Sequence, residues 1–460
     1  MAKKLPYIDV SERKLLLRFF DVLSIVLSLS LASKFTDFSY IDIDKDLIYI
    51  WFLVLAIYFL FIGQILQIYN LKVSNNRFLI FRGIIVTSFI TTLVYVFSPF
   101  VTPSLPENRL QIVYFYFLIT IPVIIWRFLY ISVLFSPKYF KTIILIGHDS
   151  ISSEIKEVSN IKNLHNIAAY ISNKKINDLS NFRDIQSVNL SKLVKENNVT
   201  EIIISTIGFS SNELKHINNE LIELFEEGIN VKGFETYYEQ VTQRLPIEFL
   251  DFDFYKKINL NKNSNNHIYL FSQRFFDILI SVIGLLIFIG FFPLFLIGNL
   301  FGNYGPLFYI QERVGYQGKI FKMYKLRSMV KNAEENGAVW AKKNDQRVTS
   351  FGKFLRSFRL DELPQLINII KGDMSLIGPR PERPNFVEKL KESIPFYTMR
   401  HVVRPGLTGW AQVNFPYANT IEEQEVKLRY DLYYIKERST FLDFKILIKT
   451  ISTVLFFKGQ

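Results

Sequence analysis

The chain has 460 residues, more than a single domain usually contains, which predicts two or three folded units. Hydrophobic residues make up 49% of it and aromatic residues 16%, a composition too apolar for an ordinary soluble protein, so part of the chain is expected in lipid. The formal net charge of +12 fits nucleic acid, anionic lipid or phosphorylated substrates, and the lack of cysteine excludes disulfides, thiol catalysis and cysteine-bound metals.

Four apolar runs near the N-terminus each have about the 20 residues that a membrane-spanning helix needs. They predict a four-helix transmembrane domain within residues 1–136, with helices at 15–32, 47–66, 78–97 and 110–134. Basic residues precede the first run, separate the second from the third and follow the fourth. Because positively charged loops stay in the cytoplasm, we expect the N-terminus on the cytoplasmic face of the membrane, with the first run as an anchor and not a removable signal peptide.

Residues 137–264 change to short apolar runs rich in β-branched residues, which alternate with helical stretches. The runs at 142–146, 167–171 and 201–205 predict the strands of a soluble, parallel α/β domain. Gly147 follows the first strand, but the further glycines of a dinucleotide-binding turn are missing. Nucleotide binding and a purely structural role both remain open for this domain.

A fifth apolar run covers residues 275–300 and is interrupted by Gly290 and Pro293, with basic residues at both of its ends. Those charges favour a re-entrant helix that breaks near Pro293 and returns to the same membrane face; the alternative is a fifth spanning helix. The remainder of the predicted third domain, 265–460, is basic and should carry the chemistry. Its apolar tail at 441–457 suits a helix on the membrane interface or one packed on the domain.

Asp361 and Glu362 are adjacent carboxylates just before a helical run, an arrangement that alone most often caps a helix. Their neighbours favour chemistry, because cations suited to phosphate oxygens surround them in the sequence: Lys325, Arg327, Arg356, Arg359, Arg380 and Arg383. Magnesium is the expected cofactor, since a divalent ion usually bridges carboxylates and a diphosphate. The alternative is that these arginines form structural salt bridges or contact anionic lipid.

An activated Asp361 could attack the sugar-proximal phosphate of a nucleotide sugar, release the nucleoside monophosphate and later pass the phosphosugar to a lipid phosphate, with ping-pong kinetics. Two rivals stay open: direct attack by the lipid without a covalent intermediate, and a non-enzymatic membrane sensor whose α/β domain binds a nucleotide. Nucleic-acid binding is not expected, because no recognition fold or basic-aromatic platform appears.

From Gln273 to its end the chain resembles the bacterial sugar transferases, the monotopic polyprenyl-phosphate glycosyl-1-phosphate transferases. The motifs that carry the resemblance are Gln311–Gly315, Tyr324–Met329, Leu360–Gln365, Lys371–Ser375, Gly378–Pro381 and Arg404–Asn414. The whole chain resembles the family's large form, in which four transmembrane helices and a Rossmann-like domain precede a mainly helical catalytic domain with a re-entrant helix.

The resemblance implies that Asp361 is the nucleophile and that Glu362 helps to hold magnesium. It implies a uridine diphosphate sugar as donor, undecaprenyl phosphate as acceptor, contact with membrane lipids, and a role in starting exopolysaccharide, O-antigen or capsule assembly. It leaves the sugar open. A homodimer formed through the N-terminal part is a further expectation.

The same resemblance assigns Arg380 and Arg356 to the diphosphate or the carrier phosphate, with Lys325, Arg327 and Arg313 as further phosphate contacts. The family's membrane helix often breaks at a Ser-Pro pair, whereas this chain has Phe292-Pro293. The proline is kept, but the hydroxyl that could satisfy a freed carbonyl is missing.

Overall fold

The structure is a computed structural model that describes all residues except 1–9, 42–45, 71–76, 107, 134–140, 162–164, 176–178, 180, 248–265, 304, 334–344, 416–417 and 456–460. Its contacts divide the chain into two compact units, Met1–Phe234 and Glu235–Gln460. The predicted domain boundaries at 137 and 265 fall in stretches outside the described residues, so they stay predictions.

The first unit begins with four long apolar helices where the sequence predicts them. They are α1 (Val10–Phe35), α2 (Ile48–Ile65), α3 (Arg77–Val96) and α4 (Leu110–Val133). Each is long and apolar enough to cross a membrane. In α2 the buried side chains recur at helical spacing, as Trp51, Leu55 and Phe59 do, so one face packs on its neighbours while the other is free for lipid.

A buried ion pair joins the first and last helices of this bundle. Nε and Nη2 of Arg127 on α4 donate to the two carboxylate oxygens of Asp21 on α1, at 2.9 and 2.5 Å. The ring of Tyr69 lies under the guanidinium, with its centroid 5.1 Å away. An unpaired charge in this position would be costly, so the pair fixes how α1 packs on α4.

The rest of the first unit is built around a five-stranded sheet. The strands are β1 (Lys141–Ile146), β2 (His165–Ser172), β3 (Phe182–Asp184), β4 (Glu201–Ile204) and β5 (Asn230–Gly233); the helices are α5 (Ser152–Ser159), α6 (Leu190–Asn197) and α7 (Ser211–Glu226). All strand pairs are parallel, in the order β3-β2-β1-β4-β5. That order is compatible with the predicted Rossmann-like domain.

The second unit contains the remaining described helices and two short pairs of strands. The helices are α8 (Phe234–Thr242, all but its first residue), α9 (His267–Gly302), α10 (Ser350–Ser357), α11 (Gln365–Lys371), α12 (Pro384–Ser393), α13 (Trp410–Asn414), α14 (Ile421–Glu437) and α15 (Thr440–Leu455). The strands are β6 (Phe308–Val314), antiparallel to β7 (Ile320–Leu326), and β8 (Ser375–Ile377), parallel to β9 (Gly406–Thr408).

The fifth apolar helix, α9, begins earlier than predicted, where the Asn266 side chain caps it by accepting from the Tyr269 N–H at 3.1 Å. It runs as a single helix of 36 residues through Pro293, so the proline does not end it. Its length and composition would allow it to span a membrane. The return to the same membrane face therefore stays a prediction.

One stripe of side chains on α9 packs against the rest of the second unit along the helix; we call it the α9 seam. Its buried members are Tyr269, Asp277, Ser281, Phe288, Phe295 and Asn299. Near the start, Asp277 accepts from the Leu376 N–H at 2.8 Å. In the middle Gly284 lies against Leu366, and near the end Gly298 lies against Phe351.

A stretch N-terminal to α9 also belongs to the second unit. We call residues 235–247, which contain all of α8 except Phe234, the docking segment. The indole N–H of Trp410 donates to the Gln243 carbonyl at 3.1 Å, and the Leu245 N–H donates to the Arg429 carbonyl at 2.9 Å. Leu245 and Ile247 are buried in the same hydrophobic core as Trp410. The second unit thus includes described residues that precede residue 265, where the catalytic domain is predicted to begin.

The apolar tail forms α15, which buries one face and exposes the other. Leu442 and Ile446 join the core, whereas Phe441 and Phe444 remain exposed. The helix therefore packs on its domain, as one of the two expectations had it.

Candidate active site

Asp361 and Glu362 lie in a tight turn between α10 and α11. Arg359 enters the turn with a left-handed backbone, at φ 56°, and a short 3-10 helix covers Leu360–Glu362. The N-cap position of α11 is Pro364, and no side chain caps that helix. Neither carboxylate is therefore the cap of this helix, which removes helix capping as the explanation for the pair.

Glu362 is buried and enclosed by cations. Nη2 of Arg380 donates to its Oε1 at 2.6 Å, and Nζ of Lys325 is 3.7 Å from the same oxygen. Nη1 of Arg359 is 3.7 Å from Oε2. Burial alone would raise the pKa of Glu362, but the charges of Arg380, Lys325 and Arg359 outweigh it and lower that pKa, so the side chain stays ionised.

Asp361 is almost as buried, with 8% of its surface exposed, but has a different environment. Among the described residues its carboxylate makes no ion pair within 4.0 Å and no hydrogen bond. Burial, and then the adjacent charge of Glu362, raise its pKa, against the more distant pull of Lys325 and Arg356. A more basic carboxylate with free oxygens is what nucleophilic attack requires.

Lys325 comes from the end of β7, where it pairs with Tyr309 of β6. Burial foremost, aided by nearby arginines and opposed by Glu362, lowers the pKa of Lys325 to about 8. The ammonium is therefore charged at neutral pH but loses its proton far more readily than an exposed lysine does.

Arg380 is held in place by the loop Gly378–Glu382, which we call the Arg380 loop. Four consecutive carbonyls of this loop accept hydrogen bonds: Pro379 from the Gly406 N–H at 2.9 Å, Arg380 from Arg400 at 2.9 Å, Pro381 from Arg313 at 3.0 Å, and Glu382 from the Val314 N–H at 2.9 Å. A Cβ on Gly378 would come within 2.3 Å of the Arg404 carbonyl oxygen, so only glycine fits there. The guanidinium is thus preorganised against Glu362.

A buried charge network supports this loop. Nζ of Lys427 donates to Oε1 of Glu382 at 2.7 Å, and Arg313 is 3.6 Å from Oε2 of the same residue. Arg400 pairs with Asp431 at 2.8 Å. Burial would raise the pKa of Glu382, but Lys427, Arg400 and Arg313 lower it to about 2.

Sequence reasoning singled out neither Lys427 nor Asp431. The available signal was their position in α14: both follow the helical period of the buried residues Leu428 and Leu432 and so lie on an apolar face. Charges at core positions of a helix indicate buried partners.

The predicted phosphate-binding residues divide into two groups. Lys325 and Arg380 meet at the carboxylate pair, and Arg356 on α10 acts electrostatically on Asp361. Arg313 contacts the Arg380 loop, and Arg327 donates to the Asn303 carbonyl at 2.9 Å and so braces the end of α9. Direct phosphate binding by these five residues stays a prediction.

The carboxylate pair has the oxygen ligands that magnesium prefers. Over the described residues, no group of three or more His, Cys, Asp or Glu side chains gathers, so such an ion would need most of its ligands from substrate phosphates and water. Glu362 would also have to exchange one of its cation contacts for the metal. Its assignment as a magnesium ligand stays a prediction.

This site lies within a segment that has clear relatives. The family model described as bacterial sugar transferase matches residues 268–457. A putative undecaprenyl-phosphate N-acetylgalactosaminyl 1-phosphate transferase of Bacillus subtilis (strain 168) is 54% identical over 132 residues, which are 29% of this chain and 74% of that relative. The chain belongs to the bacterial sugar transferase family. All the predicted site residues lie inside the matched segment.

Longer relatives match over part of their length. A UDP-N-acetylgalactosamine-undecaprenyl-phosphate N-acetylgalactosaminephosphotransferase of Aeromonas hydrophila is 47% identical over 191 residues, 41% of this chain and 44% of that relative. A UDP-glucose:undecaprenyl-phosphate glucose-1-phosphate transferase of Xanthomonas campestris pv. campestris is 35% identical over 282 residues, 58% of this chain and 55% of that relative. The matched regions thus span about half of each of these two sugar transferases.

Proposed function

We propose that this sugar transferase moves a hexose-1-phosphate from a uridine diphosphate sugar to undecaprenyl phosphate through a phosphosugar on Asp361. The observation that carries the proposal is the contrast within the carboxylate pair. Glu362 is paired with three cations, while the carboxylate of Asp361 has a raised pKa and, among the described residues, no hydrogen bond or ion pair. The names of the relatives support the acceptor, because each contains undecaprenyl phosphate.

In the first step an oxygen of Asp361 forms a bond to the sugar-proximal phosphorus, and the bond from that phosphorus to the bridging oxygen breaks. Uridine monophosphate leaves with the electron pair of the broken bond. Arg380 and Lys325 lie where they would offset the charge that develops on the phosphate oxygens. Magnesium, when bound, would neutralise diphosphate charge.

In the second step an oxygen of the lipid phosphate attacks the same phosphorus, and the carboxylate of Asp361 leaves. The product is undecaprenyl diphosphate sugar, the first intermediate of exopolysaccharide, O-antigen or capsule assembly. This second attack needs the lipid headgroup and Asp361 on one membrane face. The α9 seam supports that, because both ends and the middle of α9 contact the same unit.

The wider assembly is part of the same proposal. We place the N-terminus and the catalytic unit on the cytoplasmic face of the inner membrane and assign the first unit a Rossmann-like domain. We also propose that the first unit has a stabilising or regulatory role through homodimerisation. A solubilised protein that is strictly monomeric would contradict that last part.

The test uses the purified full chain, magnesium and a panel of radiolabelled uridine diphosphate sugars, first without acceptor. We expect one sugar to give a stoichiometric burst of uridine monophosphate and a labelled protein, and added undecaprenyl phosphate to remove the label. Asp361→Asn should lower both the burst of uridine monophosphate and the labelling of the protein by about a thousandfold or more. Glu388→Gln, whose side chain is 64% exposed on α12, is the matched control.

Two outcomes would contradict the proposed mechanism. Labelling that survives in Asp361→Asn refutes the nucleophile. Release of uridine monophosphate only when acceptor is present, without labelled protein, indicates direct attack by the lipid.

A further inference from the structure

A cavity of about 210 Å³ opens beside the carboxylate pair, between α15 and the segment that carries β9 and α13. We call it the α15 cavity. Two charged side chains, Arg359 and Glu362, line one part of it. Its aliphatic lining consists of Leu363, Leu376, Leu407, Val413, Leu447 and Val454.

The threonines in the lining have their hydroxyl donors occupied. Thr450 donates to the Ile446 carbonyl at 2.9 Å and is 2.6 Å from the Thr408 hydroxyl. Thr453 donates to the Lys449 carbonyl at 2.8 Å. These hydroxyls therefore have no proton left to donate to a ligand. The remaining polar lining residue, Gln412, donates to the Leu407 carbonyl at 3.2 Å, so most of the described wall is hydrocarbon.

The chemistry of the cavity distinguishes between the two substrates. A nucleotide sugar is polar along its whole length, so placing it against this wall would cost it hydrogen bonds to water. A polyprenyl phosphate has one charged end and a hydrocarbon chain, which matches a cavity that is charged at one side and aliphatic elsewhere. The side chain of Arg359 is 33% exposed, so it can still meet a phosphate.

We propose that the α15 cavity binds the first isoprene units of the lipid-phosphate acceptor, with the phosphate near Arg359. This rests on the proposed function, since it assigns a place to the acceptor of the same reaction. It adds a specificity determinant, α15, that contributes no group to the chemistry. The cavity thus selects for a hydrocarbon chain attached directly to a phosphate.

The test fills the cavity from α15 and follows the two half-reactions separately. In Val454→Phe we expect the KM for undecaprenyl phosphate to rise about tenfold or more, while the acceptor-free burst of uridine monophosphate stays unchanged. Val454→Leu is the milder variant if the larger ring impairs folding. Ile451→Phe is the control on the same helix, because Ile451 is 42% exposed and does not line the cavity.

A binding measurement keeps this test independent of turnover. Retention of radiolabelled undecaprenyl phosphate by the Asp361→Asn chain should fall when Val454→Phe is added. Unchanged retention and an unchanged acceptor KM would overturn the assignment, as would a changed burst or donor KM. Equal displacement by phosphatidylglycerol would also overturn it, because the cavity would then be a general lipid site. A wild-type chain that is never labelled, but whose acceptor retention still depends on Val454, would refute the covalent mechanism and leave the cavity assignment standing.

Discussion

At the scale of single residues, the site gives two neighbouring carboxylates opposite properties. Asp361 and Glu362 are equally deep, so burial alone cannot separate them. The positions of the surrounding cations separate them, because Arg380 and Lys325 lie within 4.0 Å of Glu362, whereas no cation in the described part of the chain lies that close to the Asp361 carboxylate. The ionised Glu362 then helps to raise the pKa of Asp361, so the cations around one carboxylate influence the proton affinity of the other.

The lowered pKa of Lys325 predicts a loss of activity in alkali. Lys325 is charged below its pKa of about 8 and neutral above it, so the acceptor-free burst rate should fall as the pH rises through 8. Asp361 must be ionised in order to attack, so its raised pKa should set the pH below which the burst rate falls. Lys325→Arg keeps the charge and should move the alkaline limb up by about one pH unit or more.

The measurement is the pH profile of the burst for the wild type, Lys325→Arg and Lys322→Arg. Lys322 is exposed on the same strand and serves as the control. If the burst rate of Lys325→Arg falls at the same alkaline pH as that of the wild type, a group other than Lys325 causes the fall.

The carboxylate pair and its direct cations could be predicted, because Asp361, Glu362 and Arg380 stand in recognisable motifs. The buried residues that hold these side chains in place could not be predicted. Lys427 meets Glu382 across 45 residues of sequence, and local periodicity contains no information about such a partner. Arg327 follows Lys325 by two residues and is expected to share its role, but β7 ends at Leu326, so the alternation that would place both side chains on one face does not extend to Arg327, which contacts Asn303.

At the scale of elements, the docking segment makes the catalytic unit longer than its family match. Its contacts join residues that are far apart in the chain, such as Gln243 and Trp410, 167 residues apart. The sequence pattern placed the boundary at the next apolar helix, which is the nearest feature that periodicity can detect. The long apolar helices were predicted well for the same reason, since their signal is local.

Removal of the docking segment should therefore destabilise the catalytic unit. A fragment that starts at Glu235 should melt about 5 °C or more above one that starts at Asn266, because the shorter fragment lacks the buried Leu245 and Ile247. Thermal unfolding in detergent measures this.

The substitution Trp410→Phe provides the control. It removes the indole N–H and should lower the melting temperature of the longer fragment more than that of the shorter one, whose Gln243 is already gone. Equal melting of the two unsubstituted fragments would contradict a stabilising role.

At the scale of the whole molecule, the absence of cysteine permits a direct test of topology, since any introduced thiol is unique. With the N-terminus in the cytoplasm, Ser39→Cys and Ser104→Cys should react with an impermeant thiol reagent in intact cells. His267→Cys and Pro306→Cys flank α9 and should both be protected until the membrane is opened. Labelling of only one of these two from outside would mean that α9 spans the bilayer.

The α9 seam links the bilayer to the active site mechanically. Gly298 lies on Phe351 of α10, and α10 leads within a few residues into the turn that holds Asp361. A bilayer whose hydrophobic thickness differs from that of α9 tilts or bends the helix, at a small cost per ångström. Such a tilt would shift the contact between Gly298 and Phe351, so we expect turnover to depend on the acyl-chain length of the host lipid.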